Sequence, residues 1–317
     1  MKKSKAFIII LLSVAVVISS TVLYFKKYNA IPIDSVEATS AEKKAELSFF
    51  VIGDVHGNID KLNKAIVDLY SENKNVDALV LNGDNVDQGI PSQYEAVKSA
   101  LNKNKKYLPP IIIKNIGNHE YFDYIKGQNG PAELNNFKNN YYDFSGEKSV
   151  YHDKWINGYH FISLGSESDN MKGLSATSAS LSKEQFSWLK VKLGEKYEKG
   201  KPVFVFLHQH LNTSIQGWTG VVQRKELVDI LSKYPEVILF TSHTHVLLSI
   251  DNIKLNQPFS IVHTGAVTYA ILPENYNVKR LYDESQGLYV EVNRNKVIVK
   301  GRDFAKKAWI FSKDISK

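Results

Sequence analysis

The stretch Phe49-Phe50-Val51-Ile52-Gly53-Asp54-Val55-His56-Gly57 is an apolar, β-type run that breaks at a glycine and ends in an acid and an imidazole. Four more runs end in the same way. Ala78 to Asn82 leads into Gly83-Asp84-Asn85-Val86-Asp87, and Ile111 to Ile116 into Gly117-Asn118-His119-Glu120. Val203 to Leu207 ends at His208-Gln209-His210, and Val237 to Thr241 runs through Ser242 to His243-Thr244-His245. Between the first two runs Leu62, Ile66 and Leu69 fall at helical spacing, as do Ala96, Val97, Ala100 and Leu101 between the next two. Strands alternating with helices predict an α/β architecture with a largely parallel inner sheet, whose carboxyl edge is where ligands bind. Further strands are expected at Tyr159 to Leu164 and Phe259 to Val262. Leu288 to Val292 and Val297 to Val299 are expected to form a hairpin about Asn293-Arg294-Asn295-Lys296.

Each motif taken singly has a plain structural explanation. Asp54 could cap a strand end, Asp84 and Asp87 are ordinary turn residues, and His208, His210, His243 and His245 could be packed rings. Their recurrence at five successive strand ends is what points to one site. Carboxylate, imidazole and amide oxygen together suit a borderline divalent cation such as Mn, Fe, Zn or Ni, and there are enough donors for two ions. The chain has no cysteine, which rules out disulfides, thiolate nucleophiles and Cys-ligated zinc.

In this order the motifs resemble the calcineurin-like metallophosphoesterases, over roughly residues 48 to 270. The resemblance implies a four-layer αββα sandwich with two mixed β-sheets face to face and helices outside. It implies that Asp54, His56 and His245 hold one metal, that Asn118, His208 and His243 hold the other, and that Asp84 bridges them. A hydroxide between the metals would then attack phosphorus in line. His119 would contact phosphate and protonate the leaving oxygen, with Asp87 orienting its ring. Three positions depart from the pattern. Ser242 stands where glycine is usual, which would be unfavourable if the backbone there needed positive φ. Gln88 and Ile116 stand where the protein Ser/Thr phosphatases carry phosphate-gripping arginines, which argues against protein phosphatase activity. His210, His152, His160 and His263 match no ligand position, although His263 falls in a strand near the site.

Lys2, Lys3 and Lys5 precede an uncharged stretch from Ala6 to Phe25, followed by Lys26 and Lys27. Twenty residues at about 1.5 Å each reach across the roughly 30 Å core of a bilayer, and the flanking charge favours a cytoplasmic N-terminus. Residues 1–27 are therefore expected to be a signal anchor or a cleaved signal peptide, 28–47 a linker, and 48–317 the catalytic domain. The domain would lie outside the cytoplasm, tethered to the cell membrane by a single span or else secreted. The net charge of +7 would suit anionic partners, and equally a solvated lysine-rich surface. The expected partners are a phosphoester substrate and the membrane, with nucleic acid only as a substrate. Aromatic residues at Tyr121 to Tyr124 and Gln216-Gly217-Trp218, and the segment Asn129-Gly130-Pro131, are candidates for a substrate pocket. The competing functional readings are a catalytically idle metal-binding surface protein and a lysine-driven polymer binder.

Overall fold

Side chains alternate along the first strand, and the two faces meet different neighbours. In β1 (Leu47–Ile52), Phe49 and Val51 face one apolar cluster while Phe50 and Ile52 face another. That alternation sets the layers. The computed structural model describes residues 45–125, 131–168, 176–212, 214–215, 217–256, 258–274 and 277–316. The expected membrane or signal helix and the linker up to residue 44 lie outside the described residues. Among those described, no helix is long and apolar enough to cross a membrane. The strand takes in Leu47, one residue before the boundary expected from sequence.

After β1 the chain forms α1 (Ile59–Glu72), β2 (Ala78–Asn82), α2 (Pro91–Lys103), β3 (Ile111–Asn115) and α3 (Pro131–Ser145). Next come β4 (His152–Ile156), β5 (Tyr159–Ser163), α4 (Lys183–Gly194), β6 (Val203–Phe206), β7 (Ser214–Ile215) and β8 (Trp218–Thr219). They are followed by α5 (Arg224–Leu231), β9 (Val237–Thr241), β10 (Ile253–Lys254) and β11 (Ser260–His263). The chain closes with β12 (Ala270–Glu274), β13 (Asn277–Leu281), β14 (Gln286–Asn293), β15 (Lys296–Asp303) and β16 (Ala308–Asp314).

Two six-stranded sheets result, ordered β16-β15-β14-β1-β2-β3 and β10-β11-β9-β6-β5-β4. In the first, β1, β2 and β3 are parallel and β14 joins β1 antiparallel. In the second, β5, β6, β9 and β11 are parallel, with β4 and β10 antiparallel at the edges. The largely parallel sheet expected from the alternating elements is thus the centre of each of two mixed sheets. The expected hairpin is β14–β15, closed by Arg294-Asn295 with Arg294 at positive φ, and β16 extends it.

Three apolar layers hold the sandwich together. Phe49, Val80, Phe161, Phe204, Phe206, Phe240 and Leu288 fill the space between the sheets. Phe49 sits edge-on to Phe161 and Phe204, each at 4.9 Å between ring centres, a preferred geometry for aromatic pairs. On the outer face of the first sheet, Leu79 and Leu81 pack against Leu62 and Ile66 of α1, Val97 of α2 and Tyr141 of α3. On the second, Val205 and Leu239 pack against Leu189 of α4 and Leu227 of α5. This is the αββα order that the resemblance implies. It brings the carboxyl ends of β1, β2, β3, β6 and β9 to one edge of the sandwich.

Candidate metal centre

Backbone bonds lace the loops at that edge together. Asp54 N donates to Gly83 O (3.1 Å), His56 N to Asp84 O (2.9 Å), Ser242 N to His208 O (2.8 Å) and Thr268 N to Asp54 O (3.0 Å). Asp54, His56, Asp84, His243 and His245 all have positive φ, between 48° and 75°. That conformation costs a non-glycine residue on the order of 1 kcal/mol or more, and such strain gathers where function requires it. Gly117 allows close approach, because a Cβ there would lie 2.2 Å from Asp84 Oδ1.

The acidic and imidazole donors expected to bind metal come together in two groups. Asp54, His56 and His245 present atoms all within 4.8 Å of one another, and so do Asp84, His208 and His243. Asp84 Oδ2 lies 3.1 Å from His208 Nε2 and 3.6 Å from His56 Nε2, so it stands between the groups. Asp54 Oδ1 lies 3.3 Å from His245 Nε2 and 3.7 Å from His208 Nε2. Second partners orient the rings. His208 Nδ1 donates to Asn82 O (2.9 Å), His245 Nδ1 to Tyr269 O (3.1 Å) and His243 Nε2 to Thr219 O (3.2 Å), which leaves the opposite nitrogen of each as a donor to a cation. His56 and His245 meet Nε2 to Nε2 at 3.1 Å, as two rings aimed at one ion would.

The donor set fits divalent cations. Asp54 and Asp84 are fully buried, and among the described residues imidazoles are their only ion-pair partners. Buried charge of this kind needs pairing or a metal. Among the described residues Asn118 Oδ1 is buried with no hydrogen-bond partner, while Asp54 Oδ1 and His208 Nε2 have only the carboxylate–imidazole contacts given above. Burial pushes Asp54 up to about 7. Burial opposes a charge on His208, but Asp84 and Asp54 outweigh it and hold the ring up to about 10. Burial keeps His243 and His245 well below the usual imidazole range, in the neutral form that binds metal.

His119 lies beside these groups, its ring 4.2 Å from that of His56. Its backbone N–H donates to Asp84 Oδ1 (2.9 Å), and its Nδ1 donates to the carbonyl of Asp87 (2.9 Å). The Asp87 carboxylate is 3.3 Å from His119 Nδ1 and 3.4 Å from His56 Nδ1, so it touches both rings, one more than expected. Burial would lower His119, but Asp84 and then Asp87 raise it to about 9.

Ser242 does not carry the positive φ that would have made it unfavourable; His243 and His245 do. Gly53 leaves room for the Ser242 side chain, since a Cβ on Gly53 would lie 2.6 Å from Ser242 Oγ. That hydroxyl accepts from Asn82 Nδ2 (2.9 Å) and pairs with Thr264 Oγ1 (2.6 Å), joining the two sheets beneath the site. His210 bonds to Trp218 O, and His160 to Asp153. His263 is buried, its Nε2 has no hydrogen-bond partner among the described residues, and burial pushes it down to about 4. None of these three, nor His152, belongs to the donor groups.

Glu120 has a larger part than its place in the sequence suggested. It is fully buried and accepts from the backbone N–H groups of Asp84 (3.1 Å), Asn85 (2.7 Å) and Gly117 (2.7 Å), so it fixes both loops that carry Asp84 and Asn118. Of the aromatic candidates, Tyr121 is core, with its hydroxyl on Ser166 O. Tyr124 reaches Asp87 (3.3 Å), and Trp218 lines the cleft above the donor groups. Asn129 and Gly130 lie outside the described residues. The cleft wall also includes Thr177, Tyr269, Arg280 and Tyr282, none of which was evident from sequence.

Comparison with known proteins agrees with this fold. No curated protein matches the chain. Among solved structures, a dimetal phosphatase of Danio rerio aligns over 86% of this chain and 99% of its own, at 13% identity and a TM-score of 0.60. Purple acid phosphatase PPD1 from yellow lupin (Lupinus luteus) seeds aligns over 85% of this chain and 53% of its own, at 14% identity and 0.59. GAP50, the anchor in the inner membrane complex of Plasmodium, aligns over 85% and 88%, at 14% and 0.53. At these identities the likeness is one of fold. The family model of calcineurin-like phosphoesterases matches residues 47–247, which span the strand ends bearing Asp54, Asp84, Asn118, His208, His243 and His245, and with that match the chain belongs to the calcineurin-like phosphoesterase family.

Proposed function

We propose that this phosphoester hydrolase cleaves phosphomonoesters or phosphodiesters outside the cytoplasm. In this reading Asp54, His56 and His245 hold one divalent cation, Asn118, His208 and His243 hold a second, and Asp84 is shared. The observation that carries it is the meeting of two donor groups about the fully buried Asp54 and Asp84, with Asn118 Oδ1 buried beside them and, among the described residues, without a hydrogen-bond partner. Bound there, the cations would lower the pKa of a water and offset charge on the attacking and leaving oxygens. Nitrogen and oxygen donors without sulfur favour Mn, Fe, Zn or Ni.

The chain's own residues do the rest. His119 keeps Nδ1 on the Asp87 carbonyl, so Nε2 is the nitrogen that faces substrate. Held protonated by Asp84 and Asp87, it supplies the leaving oxygen with its proton. Asp84 fixes His119 through the backbone bond, so the group that would bridge the cations also sets the position of the acid. Chelator-stripped protein comprising residues 31–317 is expected to be inert towards p-nitrophenyl phosphate and bis(p-nitrophenyl) phosphate, and to recover with one or more of Mn, Fe, Zn and Ni added singly. Silence with every metal and both esters would refute the reading.

The location rests on Lys2, Lys3 and Lys5 ahead of the uncharged stretch Ala6 to Phe25, read as a membrane anchor or a cleaved signal. Protease added to intact cells is expected to degrade the catalytic domain, unless it is already in the medium. A domain that is retained by the cell and protected until lysis would refute this placement.

A further inference from the structure

Among the described residues, one basic side chain of the cleft wall has neither a structural commitment nor a role in the reading above. The cleft has a volume of about 590 Å³, within the roughly 300–1,000 Å³ of small-molecule sites, so it has room for more than one phosphate. Among the described residues two basic side chains line it, Lys61 and Arg280. Lys61 is committed elsewhere, because its Nζ donates to the carbonyls of Thr268 (2.7 Å), Tyr282 and Glu284 (2.8 Å). Arg280 is exposed, and among the described residues no carboxylate pairs with it.

Arg280 is also connected to the donor groups through an aromatic ring. Its guanidinium lies over the Tyr269 ring, 5.4 Å from the ring centre. The Tyr269 ring in turn stacks on His245, at 4.3 Å and 24°. His245 Nδ1 donates to Tyr269 O, and Ile271 N donates to His245 O (2.6 Å). Ile271 pairs with Arg280 across the β12–β13 hairpin. The guanidinium is thus tied through one ring to a candidate metal ligand. An arginine stacked on an aromatic face keeps its N–H edge available for a bidentate anion contact. The positions where Ser/Thr phosphatases carry arginine hold Gln88 and Ile116 here, so a guanidinium reaches this cleft from a different element.

We propose that Arg280 binds a second anionic group of the substrate, a phosphate or phosphonate set beyond the scissile phosphate. The preferred esters are then those with two phosphates, such as sugar bisphosphates. The proposal rests on the cleft above the donor groups being the substrate site. Its source is the shared chemistry of a second phosphate, whether carried by a sugar, a nucleotide or a lipid head group.

Wild-type protein and the variants R280Q and R280K, each loaded with manganese, would be titrated calorimetrically with methylphosphonate and methylenediphosphonate. The same proteins would be assayed on glucose 6-phosphate and glucose 1,6-bisphosphate. The quantity read is the preference for the ligand with two anionic groups, so that chelation of manganese, common to all three proteins, cancels. R280Q is expected to lower that preference by about tenfold or more, and R280K by less, with the change in turnover falling on KM rather than kcat. An equal preference in wild type and R280Q, or no binding of either phosphonate, would overturn the inference. Loss of preference in binding without turnover of any ester would sink the hydrolase reading and leave this one standing. Turnover with an unchanged preference would do the reverse.

Discussion

Asp84→Asn is expected to lose at least about a thousandfold in turnover while remaining folded. Metal ions stabilise several kcal/mol of transition-state charge, and each 1.36 kcal/mol is a factor of ten in rate. Asp84 is the carboxylate that stands between the donor groups, 3.1 Å from His208 and 3.6 Å from His56. Asparagine keeps its size and the oxygen that accepts from His119 N, but it removes the negative charge that two cations would share. Steady-state rates over a manganese titration, together with circular dichroism, would check this. A folded variant with near-normal turnover at saturating metal would remove Asp84 from the centre of the mechanism.

His119→Asn should cost about a hundred- to ten-thousandfold on an alkyl phosphate and far less on p-nitrophenyl phosphate. That is the range for positioned acid–base catalysis, and a leaving group that departs without a proton does not need the acid. The pH profile should separate the two enzymes as well. Asp84 and Asp87 raise His119 to about 9 against the opposing effect of burial. Its proton is therefore present below that pH and lost as pH rises through it, and bound cations would move this limb lower. Wild type is expected to lose alkyl phosphate turnover on the alkaline side, whereas the variant, with no imidazole to titrate, should lack that limb. Equal losses on both substrates would mean that His119 binds phosphate without delivering the proton.

Much of the site is legible in sequence because every donor follows closely on the end of one of five strands. Gly53-Asp54-Val55-His56 and Gly83-Asp84 each place an aspartate two residues past the last ladder pair, so local order along the chain becomes spatial order at the sheet edge. The sandwich follows from the same runs, since Phe49 and Phe50 already belong to opposite faces. What stayed hidden is what only tertiary contact creates. Glu120 is one polar residue among many until three backbone N–H groups converge on it. Arg280, Tyr269 and Tyr282 reach the cleft on and beside a hairpin distant in sequence from most of the donors, with no motif to mark them. Tyr121 looks like a loop aromatic in sequence, yet it folds into the core. Ser242 shows the converse error. The glycine expected there implied a backbone requirement, but the positive φ falls on its neighbours and the hydroxyl is used to tie the sheets together.

The central claim is that two cations sit either side of Asp84. Crystals of the protein grown with manganese, with data collected near the manganese edge, test it most directly. Two anomalous peaks about 3.5–4 Å apart, one among Asp54, His56 and His245 and the other among Asn118, His208 and His243, are the predicted result. A single peak, or peaks away from Asp84, would contradict it.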